Sequence, residues 1–288
     1  MAAEKKSASA LAPGLYLVGT PIGNLEDITL RALRVLKEAD LIACEDTRQT
    51  QKLLNHYSIA TRTTSYHEHN EMAKAAELVS QLERGARVAV VSDAGMPGIS
   101  DPGFRLVGLA IEHDIPVVPI PGASAFLSAA VASGLPTDAF HFGGFLPSKR
   151  SARRATLESL RHSQKTEIFY EAPHRLMEAL EDIVEILGSE RQIVVAREVT
   201  KLHEEFLRGK AAEVKQELSK REEIKGEITL LIGKSKDVGE VVPQVGIRER
   251  IADIMREEGI DEKAALKKVA KERGISKSEA YREWQRSK

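Results

Sequence analysis

The chain has 288 residues, of which 42% are hydrophobic and 30% charged, and its formal net charge is -1. That length is long for one domain and comfortable for two. So even a balance does not advertise a nucleic-acid partner, although local patches count for more than the sum. The lone cysteine, Cys44, excludes an internal disulfide framework. It also argues against a thiolate metal site, so no metal is expected, and it suits a reducing, cytoplasmic compartment.

The opening MAAEKKSASALAPG is small, polar and charged, without the apolar core of a signal peptide. Residues 1–12 therefore read as a frayed tail. No window approaches about 18 uninterrupted apolar residues, so no membrane span is expected. Leu15–Val18 reads as a buried strand running into the turn GTPIGN at 19–24. Asp27–Thr29 then opens an amphipathic helix with Leu30, Leu33 and Leu36 on one face. Leu41–Cys44 is a second strand ending in Glu45, Asp46 and Arg48, and a helix follows over 70–84. Val88–Val91 is a strand that ends in the long loop SDAGMPGISDPG at 92–103. After another helix, Pro116–Ile120 leads to the turn Pro121–Ala125. This βα alternation predicts an α/β fold with a parallel sheet and covering helices.

The pattern restarts at Phe140–Gly144, followed by a basic helix carrying Lys149, Arg150, Arg153 and Arg154. Glu167–Tyr170, Gln192–Ala196 and Glu227–Ile232 are further strands. Two α/β domains are thus expected, at 13–134 and 135–233, with the boundary near Ser133–Pro136. Residues 234–245 read as a linker. Residues 246–288 read as a helical, helix-turn-helix-like segment in which Gly274 makes the turn and Ser276 caps the last helix.

In open α/β sheets the ligand-binding edge lies just after the strands, and the residues of interest sit there. The GTPIGN turn has neither the dinucleotide nor the P-loop spacing, and Pro21 removes a backbone donor that a phosphate cradle would use. It suits a phosphate-free adenosine, or equally a tight structural turn. The 92–103 loop places Asp93 and Asp101 among glycines, which admit a ligand close to the backbone, and prolines, which stiffen the loop. Gly122, Ala123 and Ala125 leave room for a flat ring, or for close helix packing. In the second half, Glu171, His174 and Arg175 follow one strand, and Arg197, Glu198 and Lys201 the next. His67 and His69 lack metal-ligand partners at suitable spacing. Residues 267–288 carry eight Lys or Arg against three Glu. With the helix-turn-helix pattern this favours nucleic-acid contact over a merely solvated face.

In this order, LVGTPIGNLEDIT, ACEDTR, SDAGMPGISDPG, PGASA, FYEAPHR and VAREVTKLHEE resemble the tetrapyrrole methylase superfamily, and within it the branch that methylates small-subunit ribosomal RNA. The resemblance runs from about residue 13 to 233 and continues into the tail. It implies two α/β domains with S-adenosyl-L-methionine (AdoMet) in a cleft between them. It also implies 2′-O-methylation of a cytidine in the decoding region of 16S ribosomal RNA by a homodimer. By position, the donor pocket would take Pro21, Ile22, Asp93, Ala94, Gly95, Ser124 and Ala125 from the first half, and Phe169, Tyr170, Ala196 and Ile228 from the second. The corrinoid-pathway members carry GPGD-type and GGDP-type signatures where this chain has GTPIGN and SDAGMPG. Alternatives are a small-molecule methyltransferase of that kind, a non-catalytic RNA-binding protein, or another methyl acceptor such as a protein side chain. A ribose hydroxyl needs a base as its proton leaves. An imidazole ionises nearest neutrality, which makes His174 the first candidate, with Glu171, Glu198 and Lys201 as competitors. Arg48, Arg175 and Arg197 would clamp phosphates, and Arg150, Arg153, Arg154, Lys277 and Arg282 would contact RNA.

Overall fold

The computed structural model describes residues 10–101, 103–235, 246–272 and 276–286. They belong to two compact units, divided between residues 236 and 237.

The first unit contains two five-stranded sheets. Its chain begins with β1 (Gly14–Val18), α1 (Leu30–Glu38), β2 (Leu41–Cys44), α2 (Thr47–His56), β3 (Thr63–Ser65), α3 (Glu71–Glu83), β4 (Arg87–Val91), α4 (Phe104–Glu112), β5 (Val117–Ile120) and α5 (Ala125–Ser133). The strand order is β3-β2-β4-β1-β5, and every pairing is parallel. A central parallel strand is covered on both faces, which is why β1, β2 and β4 are short apolar runs rather than alternating ones, whereas the edge strand β3 is polar and half-buried. Tyr16, Val18, Ile42 and Ala89 face α1 and α2, whereas Leu15, Leu41, Val88 and Val90 face α3 and α4. Thr29 starts α1 by accepting a hydrogen bond from the Ala32 amide at 3.0 Å. The buried face of α1 is Ala32, Val35 and Leu36, while Leu30 is 86% exposed. Steps of three residues fall short of a full helical turn, so Leu30 drifts off the stripe that Leu36 occupies. Leu11, expected in the frayed tail, packs on this core, and its amide donates to Glu38 at 3.1 Å.

The second sheet is built from β6 (Phe140–Phe145), α6 (Arg150–Ser159), β7 (Thr166–Glu171), α7 (Pro173–Leu187), β8 (Gln192–Arg197), β9 (Glu205–Lys210), α8 (Ala211–Ser219) and β10 (Ile228–Ile232). Its order is β6-β7-β10-β8-β9. Only β6 and β7 run parallel; the other pairings are antiparallel. The second half is therefore not the repeat of the first that the strand spacing suggested. The reason is local: β8 turns back into β9 through a short loop with no crossover helix, and a short connection forces antiparallel pairing. One face of this sheet packs on α6, α7 and α8 through Leu157, Leu180, Ile183 and Val214. The other packs Ile168, Val194, Ala196 and Leu231 against Ala129 and Ala130 of α5 and against Ile22. Thus α5, which follows the first sheet, is a layer of the second.

In the second unit, α9 (Ile247–Glu258), α10 (Glu262–Glu272) and α11 (Lys277–Arg286) bury Ile251, Ile254, Leu266, Val269 and Trp284 in a core of their own. Ser276 and Glu279 cap α11 reciprocally. The Glu279 amide donates to the serine hydroxyl at 3.2 Å, and the Ser276 amide to the carboxylate at 2.9 Å. The turn expected around Gly274 lies outside the described residues, as does residue 236–245 of the expected linker.

Candidate active site

Three turns leave the C-terminal ends of β1, β4 and β5 and meet. Gly19 and Gly122 lie back to back, so that a Cβ on either would stand 2.7 Å from the other's Cα. Thr20 and Gly95 exchange backbone hydrogen bonds of 2.9 and 3.1 Å. Gly95 holds φ +83°, a conformation that favours glycine. The small residues that made these turns noticeable in sequence are thus small because backbone packs on backbone there.

Above this junction opens a cleft of about 370 Å³, within the size range of small-molecule sites. Seven of the residues expected to hold the donor line it: Ile22, Ala94, Gly95, Ser124, Ala125, Tyr170 and Ile228. Glu171 lines it as well. Four do not. Pro21 is buried within its turn, and Asp93 accepts a hydrogen bond from the Asp46 amide at 3.2 Å. Phe169 is buried against Gly143, and Ala196 lies in the layer between β8 and α5. Strand alternation sends Phe169 into the layer with α6 and α7 and Tyr170 to the opposite face, towards the cleft, while Glu171 reaches the cleft at the strand's end.

The cleft also exposes Asp101, one of the two loop carboxylates the sequence singled out, and residues it did not, among them Met96, Phe126, Phe145, Val199 and Thr229. The aromatic wall is ordered. Phe126 stacks on Phe142 at 4.3 Å, and the Phe142 and Phe145 rings meet Tyr170 edgewise at 4.9 and 5.5 Å. Periodicity gave no sign of this wall, because its members come from α5, β6 and β7.

Burial pushes the Asp101 carboxyl above its ordinary value. A hydrogen bond from Ser92 opposes the shift, and the charge of Asp93 adds to it. Burial likewise raises Glu171, against the Ala172 amide and the guanidiniums of Arg175 and Arg153. Its Oε1 accepts from Ala172 at 2.7 Å and pairs with Arg175 at 2.8 Å. Glu198, Lys201 and Glu227 form a chain with Lys201 Nζ 2.8 Å from Glu198 and 3.1 Å from Glu227. Burial works against the charge of Glu198, yet Lys201 and the Glu227 amide hold its carboxyl below the usual value. Glu198 and Thr200 both have positive φ, 54° and 68°, and Val199 between them reaches the cleft. Strained non-glycine backbone of this kind persists where the surroundings fix it, often at functional sites. His174, on the first turn of α7, is exposed and does not line the cleft.

The cations expected to meet RNA divide into three groups. Arg153 is 0% exposed and cannot reach a partner in solution. Its Nε donates to the equally buried Asp182 at 2.8 Å. Arg150 and Arg154 converge on the same carboxylate at 3.2 and 2.9 Å. The basic face of α6 is therefore turned towards α7. Arg175 and Arg197 are paired with Glu171 and Glu205. Arg48 is exposed on α2 but pairs with Asp46 at 2.8 Å, and Lys277 and Arg282 are exposed on α11. Among the described residues no group of metal-ligating side chains is present, and no helix is long and apolar enough to cross a membrane.

The family described as Tetrapyrrole (Corrin/Porphyrin) Methylases matches residues 14–215. A protein of Halalkalibacterium halodurans named Ribosomal RNA small subunit methyltransferase I is 49% identical over 272 residues, 93% of each chain. The protein of that name from Escherichia coli O157:H7 is 44% identical over 272 residues, again 93% of each. Among solved structures, uroporphyrin-III-C-methyltransferase from Thermus thermophilus superposes with a TM-score of 0.55 at 21% identity, covering 77% of this chain and 94% of that one. Diphthine synthase does so with a TM-score of 0.58 at 15% identity, over 76% and 89%. These structural likenesses speak to the fold; the matched motifs, cleft and sequence relatives together show that the chain belongs to the tetrapyrrole methylase family, in the group of the ribosomal RNA small subunit methyltransferase I proteins.

Proposed function

We propose that the protein transfers a methyl group from AdoMet to the 2′ hydroxyl of a cytidine ribose in 16S ribosomal RNA, in the cytoplasm and as a homodimer. The convergence of three small-residue turns on one cleft carries this reading, joined to the names of the relatives. The cleft fits the donor on two counts. Ala94 and Gly95 line the cleft with almost no side chain, which leaves their backbone accessible to a flat ring. Tyr170 and Phe145 offer aromatic faces, which attract a sulfonium cation.

When bound, AdoMet supplies a methyl group already activated for attack. The task of the chain is alignment, and alignment of reacting groups is worth several powers of ten in rate. Ile22, Ala94, Gly95, Ser124, Ala125, Tyr170 and Ile228 would hold the donor. The lock between Glu198, Lys201 and Glu227 fixes the strand ends that carry Val199 and Ile228. The stem of Lys201 also lies on Gly23, where a Cβ would meet its Cγ at 2.2 Å, so the lock reaches the first turn. Arg48, Lys277 and Arg282 are the exposed cations best placed to meet phosphate. The homodimer is supported by apolar side chains left exposed on α4, with Phe104 85% and Ile111 61% accessible.

The test is methylation of small ribosomal subunits from a strain lacking the enzyme, with radiolabelled AdoMet and mapping of the product. Label on one cytidine ribose is expected. Label confined to a corrinoid or tetrapyrrole substrate, or to protein, would overturn the proposal.

A further inference from the structure

We infer that Asp101 accepts the proton of the methyl-accepting hydroxyl, a role that rests on the methyltransferase reading and names its base. Four titratable side chains line the cleft: Asp101, Tyr170, Glu171 and Glu227. Glu171 is charge-paired through Oε1 with Arg175 at 2.8 Å, its Oε2 being buried without a partner among the described residues, and Glu227 is paired with Lys201 at 3.1 Å. Burial pushes the Tyr170 phenol up, so it keeps its proton. Asp101 makes no ion pair among the described residues, and the hydrogen bond to it comes from the neutral Ser92.

Its position is the second argument. A neighbouring cavity of about 790 Å³ adjoins the cleft, and Ser100 and Asp101 line both. A carboxylate at that junction touches a group brought from one side to meet a group held on the other. Ser100, just before it, has φ +60°, a strained conformation that fixes the direction of the loop. The groups facing Asp101 are Asp93 on its own loop, Glu45 at the end of β2 and Tyr170 on β7. Glu68, Glu71, Arg105 and Glu112 also line the larger cavity. This predominantly acidic surround strengthens the affinity of the ionised Asp101 carboxylate for a proton, as a base requires, and complements a cationic donor.

The step balances as follows. The ribose 2′ oxygen forms a bond to the methyl carbon while the sulfur–methyl bond breaks and its electron pair stays on sulfur. The hydroxyl proton passes to the Asp101 carboxylate and then to water. One positive and one negative charge are neutralised together.

Asp101→Asn tests the role with three readouts: AdoMet binding by calorimetry, single-turnover methylation of small subunits at saturating AdoMet, and the pH profile of that rate. AdoMet affinity within about threefold of wild type is expected, which also shows that the variant folds. The rate should fall by about 10²–10⁴-fold, the usual contribution of a positioned base, and the acidic limb of the profile should vanish. Asp101→Glu should restore part of the rate together with the limb. A rate for Asp101→Asn near that of wild type would overturn the inference. So would a tenfold loss of AdoMet affinity with a normal rate at saturation, which would make Asp101 a donor ligand. Wild-type protein that binds AdoMet but methylates no RNA would overturn the functional reading, and the base assignment with it.

Discussion

Gly122 shows how narrowly the site is built. A methyl group at this position would stand 2.7 Å from Gly19 Cα, against backbone that cannot swing aside. Gly122→Ala should cost about 1–3 kcal/mol of stability, the usual penalty of overpacking, and weaken AdoMet binding at least tenfold. Thermal melting and calorimetry read the two effects, and wild-type affinity in this variant would contradict the packing argument. Arg153 makes the opposite point about reading residues from sequence. Its neighbours Lys149, Arg150 and Arg154 gave it the look of a solvated basic face. Its partner Asp182 lies 29 residues away, where no local pattern could reveal it. Arg153→Met strips Asp182 of one guanidinium within a buried, 0% exposed pair. A loss of about 3 kcal/mol is expected, at the lower end for such pairs because Arg150 and Arg154 remain. A denaturant midpoint measures it. Asp101 was visible in sequence as one of two loop carboxylates, but choosing between it and Asp93 required knowing which of them faces the cleft.

At the scale of elements, the β8–β9 hairpin carries a measurable pH dependence. Hydrogen bonds from Arg221, opposed by burial and assisted by Arg197, hold Glu205 down from 4.5 to about 2. A carboxylate depressed on folding adds stability above its unfolded value and loses it as pH falls through the folded one. Stability should therefore drop between pH 4.5 and about 2, and Glu205→Gln should flatten that drop by about 2 kcal/mol after allowance for partial exposure. Urea midpoints across this range decide it; an unchanged slope in Glu205→Gln would sink the assignment. The hairpin was also the least legible element. Glu205–Lys210 has only two apolar members besides its glycine, so its sequence does not announce a strand. In the first sheet β1, β2, β4 and β5 were readable because each is an apolar run, and their alternation with helices itself encodes parallel pairing; the polar edge strand β3, Thr63–Ser65, gave no such signal.

For the whole molecule, the two sheets are joined functionally by α5, whose first turn lines the cleft and whose alanines pack on the second sheet. The second unit has a separate and much smaller core, and small cores are marginal. The chain's single tryptophan, Trp284, lies in that core, so its fluorescence reports this unit alone. Urea should change the fluorescence of Trp284 before the far-UV signal dominated by the sheets is lost. Coincident transitions would contradict independent cores. The proposed RNA-facing role of Lys277 and Arg282 belongs to the same scale. It predicts that Lys277→Glu combined with Arg282→Glu weakens binding to small subunits and lowers its salt dependence, with AdoMet affinity unchanged.

The central claim is that the turns at 19–24, 92–103 and 121–125 and the ends of β7 and β10 form one donor site. A crystal structure with S-adenosylhomocysteine bound tests it most directly. The claim predicts the ligand in the cleft between Ala94–Gly95, Ser124–Ala125 and Tyr170, with its sulfur on the side of Asp101. A ligand bound away from these turns would contradict it.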